Sequence, residues 1–254
     1  FDFNNPENPI ADYNLVFVTY CSADVHTGSR DVTFTDALGV QKLNHFQGYV
    51  NSLAALQWTY ANFPNPERVL VIGSSAGAMG SIFFAEPIMT RYANAPVIQL
   101  GDGYVGVMPK DWPGLDVWGT RANLPGALRQ DMALATPANF ATKTYASSAG
   151  LLPTRTFAQF TTAADVFQIG YYATAGGQPR DWPDLMWSSL DQLNQISNFK
   201  SYVADGPEHT ILPFDRFYTT QINGVRFRDW FANLITDQPV SNVACPRGSS
   251  WACP

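Results

Sequence analysis

Residues 69–80 read Val-Leu-Val-Ile-Gly-Ser-Ser-Ala-Gly-Ala-Met-Gly, a short aliphatic run that leads into a serine placed between glycines. The segment from Gly73 to Gly77 matches the pattern G-x-S-x-G, in which a serine sits on a sharp turn between a buried strand and a helix. Such a turn leaves the flanking glycines no room for side chains, and the N–H of Ala76 is free to stabilise a developing oxyanion. The pattern therefore predicts Ser75 as a nucleophile. A glycine-rich turn that only packs tightly or binds an anion is the alternative.

A serine nucleophile needs a base, and the chain contains only three histidines: His26, His45 and His209. His45 falls inside a predicted helix, where we expect a surface or packing role. His26 precedes the serine, whereas the usual chain order is serine, then acid, then histidine. His209 follows the last predicted strand, where a short loop would place it above the edge of a sheet. The order favours His209 as the base over His26.

The acid that orients this histidine should follow a strand between the serine and His209. Asp165 fits, because a predicted strand precedes it and a helix-like segment follows. Asp102, in the sequence LGDGYVG, also follows a predicted strand. Either residue could instead be a helix N-cap or a turn residue. The residues alone rank Asp165 only slightly above Asp102, and the choice stays open at this point.

The elements that must position these residues alternate between strands and helices, which predicts an α/β fold with a mostly parallel sheet. A heterogeneous stretch at 103–153, rich in Trp, Pro and Gly, is expected to be a lid-like insertion that carries short helices. We expect residues 1–254 to form a single domain. Predicted strands cover 14–20, 68–73, 96–100, 155–161 and 199–203, and predicted helices cover 41–63, 76–92, 186–198 and 227–235.

Composition narrows the range of partners. With 15 basic and 21 acidic residues the net charge is -6, and no cluster of Lys or Arg could neutralise a row of phosphates, so nucleic acid is not an expected partner. No apolar run approaches the roughly 20 residues that span a bilayer. The low share of charged residues, 14%, favours an extracellular or periplasmic enzyme that acts on neutral ligands.

The chain has three cysteines, and two of them lie close together in the tail segment CPRGSSWAC. Cys245 and Cys253 are expected to form a disulfide, because no nearby His or Asp completes a metal site. Cys21 is left over and is expected to be a buried free thiol. No residue pattern calls for a metal or an organic cofactor.

Several of these segments together resemble the pectin acetylesterase and Notum family of serine carboxylesterases. NLVFVTYCSADVHTG is similar to the family's strand and cysteine-containing loop, GSSAGAMGS to its serine turn, FTTAADVFQ to its acid segment and GPEHTIL to its histidine loop. LGDGYVG and INGVRFRDWFANLI also occur in family order. The resemblance implies an α/β-hydrolase-like fold with Ser75 as nucleophile, Asp165 as acid and His209 as base. It also implies that Asp24 and His26 belong to a structural loop near the site.

One departure from the family concerns the oxyanion hole. The family's glycine-rich segment lies upstream of the first strand and supplies further oxyanion N–H groups, but nothing like it occurs in this chain, and the leading strands are missing as well. We therefore expect the chain to be a fragment that works with an N-terminal segment of the same gene product. Such a segment could also supply a partner for Cys21.

The predicted function is hydrolysis of a carboxylic ester, with an O-acetyl or other acyl group on a small or polymeric alcohol. Four tryptophans are candidates for a substrate platform or acyl wall, with packing of loops as the alternative: Trp112, Trp118, Trp182 and Trp187. Two other functions remain open, an acyltransferase that passes the acyl group to another alcohol and an inactive hydrolase-fold binding module.

Overall fold

The computed structural model describes residues 2–247 of the chain. Its strands are β1 (Arg30–Thr35), β2 (Gln41–Phe46), β3 (Val69–Ser74), β4 (Val97–Asp102), β5 (Thr156–Thr162), β6 (Phe199–Ala204), β7 (Gln221–Ile222), β8 (Val225–Arg226) and β9 (Val243–Ala244). Its helices are α1 (Gly48–Asn62), α2 (Ala76–Phe83), α3 (Ala85–Arg91), α4 (Gly114–Val117), α5 (Arg129–Met132), α6 (Phe140–Leu151), α7 (Val166–Thr174), α8 (Trp182–Leu193), α9 (Arg216–Thr219) and α10 (Phe227–Ile235). Four short 3₁₀ turns lie between these elements.

A five-stranded sheet with the order β3-β4-β5-β6-β9 forms the centre of the fold, and all of its pairs are parallel. Parallel neighbours require crossover connections, which here contain helices. The predicted α/β fold with a mostly parallel sheet is therefore confirmed. Two separate hairpins, β1-β2 and β7-β8, flank the sheet in sequence.

Helices cover both faces of this sheet, as the alternation of side chains along its strands shows. On one face, Phe199 of β6 makes an edge contact with Tyr145 of α6, with ring centroids 5.4 Å apart. On the other face, Phe160 and Tyr202 pack against Phe227 of α10, with centroids 4.9 and 5.1 Å apart. The central strands β4, β5 and β6 are consequently buried almost throughout, as parallel strands covered on both faces are, whereas the edge strand β3 is only partly buried.

The predicted strand at 14–20 is wrong. This segment has no regular secondary structure, and Leu15 and Phe17 are 64% and 78% exposed. A strand needs a hydrogen-bonded neighbour, and β3, the edge strand of the described sheet, pairs only with β4. The β-forming residues at 14–20 therefore lack the partner that would order them as a strand.

The predicted helix at 41–63 begins too early. Residues 41–46 form β2, which pairs with β1 in a hairpin that sequence analysis missed. Asp36 shapes the turn, because its Oδ1 accepts hydrogen bonds from the N–H groups of Leu38 and Val40, both at 3.0 Å. Helix α1 starts only at Gly48, whose N–H donates to the buried Asp24 carboxylate at 2.8 Å.

The other predicted elements are confirmed with small shifts of their ends. Strands β3, β4, β5 and β6 and helix α10 lie where the sequence predicts them. The predicted helix at 76–92 is divided at Phe84 into α2 and α3, and α8 begins four residues before its predicted start of Met186. Pro183, in the first turn of α8, suits a helix start.

The insertion at 103–153 contains short helices, as predicted, and its inner side belongs to the core. Leu115, Leu128, Met132 and Phe140 are each at most 5% exposed and join the same hydrophobic cluster as the sheet. Helix α6 acts as the crossover between β4 and β5. Within residues 2–247, no helix is both long and apolar enough to cross a membrane.

The cysteines are described only in part. Cys21 is exposed rather than buried and forms no disulfide with a described cysteine. Cys245 is buried directly after β9. Its expected partner, Cys253, lies outside the described residues, so that disulfide stays a prediction.

Candidate functional site

Ser75 occupies a strained turn between β3 and α2. Its backbone has a φ of 55° and a ψ of -121°, a region that residues with a Cβ atom rarely adopt. Its N–H donates to the carbonyl of Asp102 at 2.7 Å, which ties the turn to the end of the neighbouring strand β4. Among residues 2–247, the Ser75 hydroxyl has no hydrogen-bond partner. The residue is half-buried.

The two glycines around Ser75 have different roles. A Cβ atom added to Gly73 would lie 1.9 Å from the carbonyl oxygen of Gly77, so only glycine fits there. A Cβ added to Gly77 would meet nothing within 4 Å. The sequence-based expectation that both flanking glycines are sterically required is thus confirmed for Gly73 and wrong for Gly77.

His209 and Asp165 come together on loops that follow β6 and β5. His209 Nδ1 lies 2.8 Å from Asp165 Oδ2 and 3.0 Å from Oδ1. The Asp165 carboxylate is fully buried, and the His209 side chain is 16% exposed. An ionised carboxylate only accepts hydrogen bonds, so it selects the His209 tautomer that carries its proton on Nδ1. The second ring nitrogen, Nε2, is then free to accept a proton.

Asp165 is also the N-cap of α7. Its Oδ1 accepts from the N–H groups of Phe167 and Gln168, both at 3.0 Å, and its Oδ2 accepts from Gln168 Nε2 at 2.9 Å. These donors fix the orientation of the carboxylate independently of the histidine. Asp165 can therefore serve both as the N-cap of α7 and as the proposed acid that orients His209.

Asp102, the rival acid, makes no hydrogen bond to the His209 ring within the described residues. It is fully buried, and it accepts hydrogen bonds from Ser74 Oγ at 2.7 Å, from Ile211 N at 2.9 Å and from Leu212 N at 3.1 Å. Burial raises the pKa of Asp102 to about 6, although these three hydrogen bonds and the charge of His209 act to lower it.

Further hydrogen bonds hold the histidine loop, from residues that no sequence motif marks. Thr162 Oγ1 donates to the carbonyl of Glu208 at 2.6 Å, and Arg216 Nη2 donates to the carbonyl of His209, also at 2.6 Å. Arg216 also donates to the carbonyl of Thr210, which has a positive φ of 57°. None of these residues belongs to a recognisable motif, so only the three-dimensional packing identifies them.

The other two histidines lie elsewhere. His45 is exposed on β2, rather than in a helix, and its Nδ1 lies 2.9 Å from Asp31. His26 is buried in a loop organised by Asp24, where its ring packs against Tyr20 at 4.9 Å between centroids. A Cβ atom on Gly80 of α2 would come within 3.1 Å of His26, so this loop lies tightly against the helix that follows Ser75.

The four tryptophans do not form one platform. Trp182 and Trp118 are only 1% and 7% exposed, so they pack in the core, which favours the alternative of aromatic packing for these two residues. Trp187 lies on α8 and stacks with the Arg247 guanidinium at 4.4 Å. Trp112 is half-buried, and its ring centroid lies 6.1 Å from that of Tyr171 on α7.

Two exposed aromatic residues of α7 were not predicted from the sequence, and one of them lies next to the histidine. Phe167 is 66% exposed, and its ring centroid lies 5.1 Å from that of His209. Tyr171 follows one turn later on α7 and is 45% exposed. Their i, i+4 spacing after the acid was a signal in the sequence, since it places both side chains on the same face of the helix.

The serine turn allows a direct test of its steric requirement. Gly73→Ala is expected to prevent folding or to lower the free energy of unfolding by more than about 4 kcal/mol, because its Cβ would overlap backbone atoms. Gly77→Ala is the matched control and should leave stability unchanged or raise it by up to about 1 kcal/mol. Chemical denaturation of both variants measures this, and equal losses would contradict the geometry.

Asp102 should make stability depend on pH. Its folded pKa of about 6 exceeds the ordinary value of 3.8, so the folded chain retains a proton that the unfolded chain has already lost. The contribution of Asp102 to the free energy of unfolding therefore falls as pH rises from about 4 to about 6, by up to about 3 kcal/mol.

Urea denaturation of the wild type and of Asp102→Asn between pH 4 and pH 7 tests this dependence. The wild type should lose stability relative to the variant as pH rises, and the difference should level off above about pH 6. Ser81→Ala, which removes no titratable group, should show a constant difference. A constant or opposite trend for Asp102→Asn would show that burial does not raise the pKa.

The fold of this chain is similar to that of proteins of known structure. No protein-family model matches the chain, and no curated protein matches it significantly. Two crystal forms of the Wnt deacylase Notum from Drosophila are similar in structure, with TM-scores of 0.60 and 0.61 at 16% and 14% sequence identity. The matches cover 92% of this chain and 72% and 71% of the Notum chains. The chain thus shares the fold of Notum, the family that the sequence resembles.

Proposed function

We propose that the protein is a serine esterase that hydrolyses a carboxylic ester with Ser75, His209 and Asp165. The observation that carries this proposal is the Asp165–His209 pair, joined by a 2.8 Å hydrogen bond at the same edge of the sheet as the strained Ser75 turn. A buried carboxylate, a histidine and a serine are the three residue types that acyl transfer by a catalytic triad needs. The fold shared with Notum, a deacylase, supports a hydrolase at a coarser level.

In the first half of the proposed reaction, Ser75 Oγ attacks the ester carbonyl and transfers its proton to His209 Nε2. Asp165 holds the Nδ1 proton and stabilises the imidazolium that forms. The negative charge on the carbonyl oxygen is stabilised by the N–H of Ala76, which as the first residue of α2 has no intrahelical acceptor. The tetrahedral intermediate then collapses, the ester bond breaks and the alcohol leaves with the proton from His209.

In the second half, water attacks the acyl group on Ser75 while His209 Nε2 accepts a proton from that water. The C–O bond to Ser75 breaks, the hydroxyl regains its proton from His209 and the carboxylic acid leaves. Each proton that His209 accepts is returned in the next step, so the enzyme regains its starting protonation state after one turnover. The same acyl-enzyme would serve a transferase, which product analysis distinguishes by the acyl acceptor.

The surroundings of His209 favour an uncharged ester. Phe167 of α7, whose ring packs against His209, is an exposed aromatic without charge. Tyr171 lies one turn later on α7 and contacts Trp112, which adds two further aromatic side chains without charge. Apolar and aromatic walls bind acyl chains or the faces of sugar rings rather than polyanions. The net charge of -6 also disfavours an acidic polymer at long range.

The proposal is tested with a fluorophosphonate, which forms a stable adduct with activated serines, followed by peptide mapping. The wild type should carry one adduct, on Ser75, and Ser75→Ala should carry none and lose ester turnover. His209→Ala should likewise lose at least about 10⁴-fold in turnover. His45→Ala is the matched control for that variant and should retain full activity.

Asp165→Asn separates catalysis from folding. Asn is as good an N-cap as Asp, so α7 should stay intact. The amide would also face the Gln168 Nε2 donor, so we expect the free energy of unfolding to fall by about 1–3 kcal/mol while the chain remains folded. The amide would present a donor to His209 Nδ1 and favour the wrong tautomer, which is expected to lower turnover about 10⁴-fold. A folded wild type without an adduct on Ser75 would contradict the proposed function and favour a binding module.

A further inference from the structure

We propose that Asp102 is a positioning residue that fastens the histidine loop to the serine turn. This inference rests on the proposed function, since it concerns how Ser75 and His209 are brought into register. It assigns Asp102 neither the role of the acid nor any contact with substrate.

Asp102 bonds to both sides of the site at once. Towards the serine turn, its carboxylate accepts from Ser74 Oγ at 2.7 Å, and its backbone carbonyl accepts from Ser75 N at 2.7 Å. Towards the histidine loop, Oδ1 accepts from Ile211 N at 2.9 Å and Oδ2 from Leu212 N at 3.1 Å. The residues bonded on the two sides are adjacent or nearly adjacent to Ser75 and His209, so a shift at Asp102 would move both.

The backbone next to Asp102 is packed closely against the histidine loop. Gly103, the next residue, has a φ of 75°, and a Cβ atom added there would lie 2.8 Å from the Thr210 side chain and 3.3 Å from the His209 ring. Arg216 holds the outer side of the same loop through the carbonyl of His209. Asp102 therefore fixes the inner side of a loop whose outer side is already fixed.

The chemistry of this position requires a carboxylate. Ser74 Oγ, Ile211 N and Leu212 N all donate to the same side chain, and an ionised carboxylate can accept all three because it carries no donor. An amide in its place would turn an NH₂ group towards at least one of these donors. Keeping a fully buried carboxylate costs stability, as its raised pKa shows, and such costs are typical of functional sites.

The test compares Asp102→Asn and Ser74→Ala with Ser81→Ala. Ser81 donates to Ala78 O and accepts from Gln99, a residue of the same strand β4. Ser74→Ala and Ser81→Ala are thus the same chemical change, each removing a hydroxyl that bonds to β4, but only the first touches Asp102. Ester turnover is measured at a temperature where all the chains are folded, as judged by circular dichroism.

If Asp102 positions the loop, Asp102→Asn should lower kcat by about 10- to 100-fold, because small misplacements of reacting groups have effects of this size. KM should stay within about twofold, since a fully buried side chain touches no substrate. Ser74→Ala should lower kcat by a smaller factor, and Ser81→Ala should leave it unchanged. Hydrogen–deuterium exchange should increase in residues 209–212 for the first two variants only.

Unchanged kcat and unchanged exchange in Asp102→Asn and Ser74→Ala, with a fluorophosphonate adduct on wild-type Ser75, would overturn the inference and leave the proposed function standing. An equal loss of kcat in Ser81→Ala would also overturn it, because the effect would then be general. If Asp102→Asn does not fold, Ser74→Ala decides the outcome. If wild-type Ser75 forms no adduct, the proposed function fails, and exchange at residues 209–212 still tests the attachment itself.

Discussion

Parallel pairing in the central sheet is the constraint on which the site depends. Because β3, β4, β5 and β6 run in the same direction and pair in order, the loops that follow them emerge at one edge. Ser75, Asp165 and His209 stand in three of these loops, and Asp102 is the last residue of β4 at the same edge. Strand pairing alone thereby brings residues that are more than a hundred positions apart in the chain to a common edge, before their own side chains make any contact.

Buried aspartates then turn this coarse placement into a defined geometry. Asp24, Asp102 and Asp165 are all 0% exposed, and each accepts several hydrogen bonds from its surroundings. Asp24 bonds to the N–H of Gly48 and orders the loop against α2, Asp102 bonds to the histidine loop, and Asp165 bonds to the histidine itself. A buried charge is tolerated only when donors surround it, so each carboxylate imposes order on the loop that supplies them.

Elements of the central sheet were predicted correctly from the sequence, whereas two peripheral segments were not. Strands β3 to β6 and helix α10 were predicted because their apolar patterns are strong and their neighbours agree with them. Residues 14–20 have an equally strong pattern for a strand but find no pairing partner among the described residues, so the pattern alone was misleading. Residues 41–46 fit a helical spacing, yet pairing with β1 determined their structure.

The sequence by itself determined which residue types could react. The G-x-S-x-G turn singled out Ser75, and the presence of only three histidines left few choices for the base. The residue patterns alone left Asp165 and Asp102 open as the acid, and the family resemblance implied Asp165. Only the tertiary structure shows that Asp165 contacts His209 Nδ1 and which tryptophans are buried, because both depend on how distant loops pack together. Asp165 follows β5 and Asp102 ends β4, so both lie at the same edge of the parallel sheet. The packing of the loop after β6 places His209 next to Asp165, and it places the N–H groups of Ile211 and Leu212 next to Asp102.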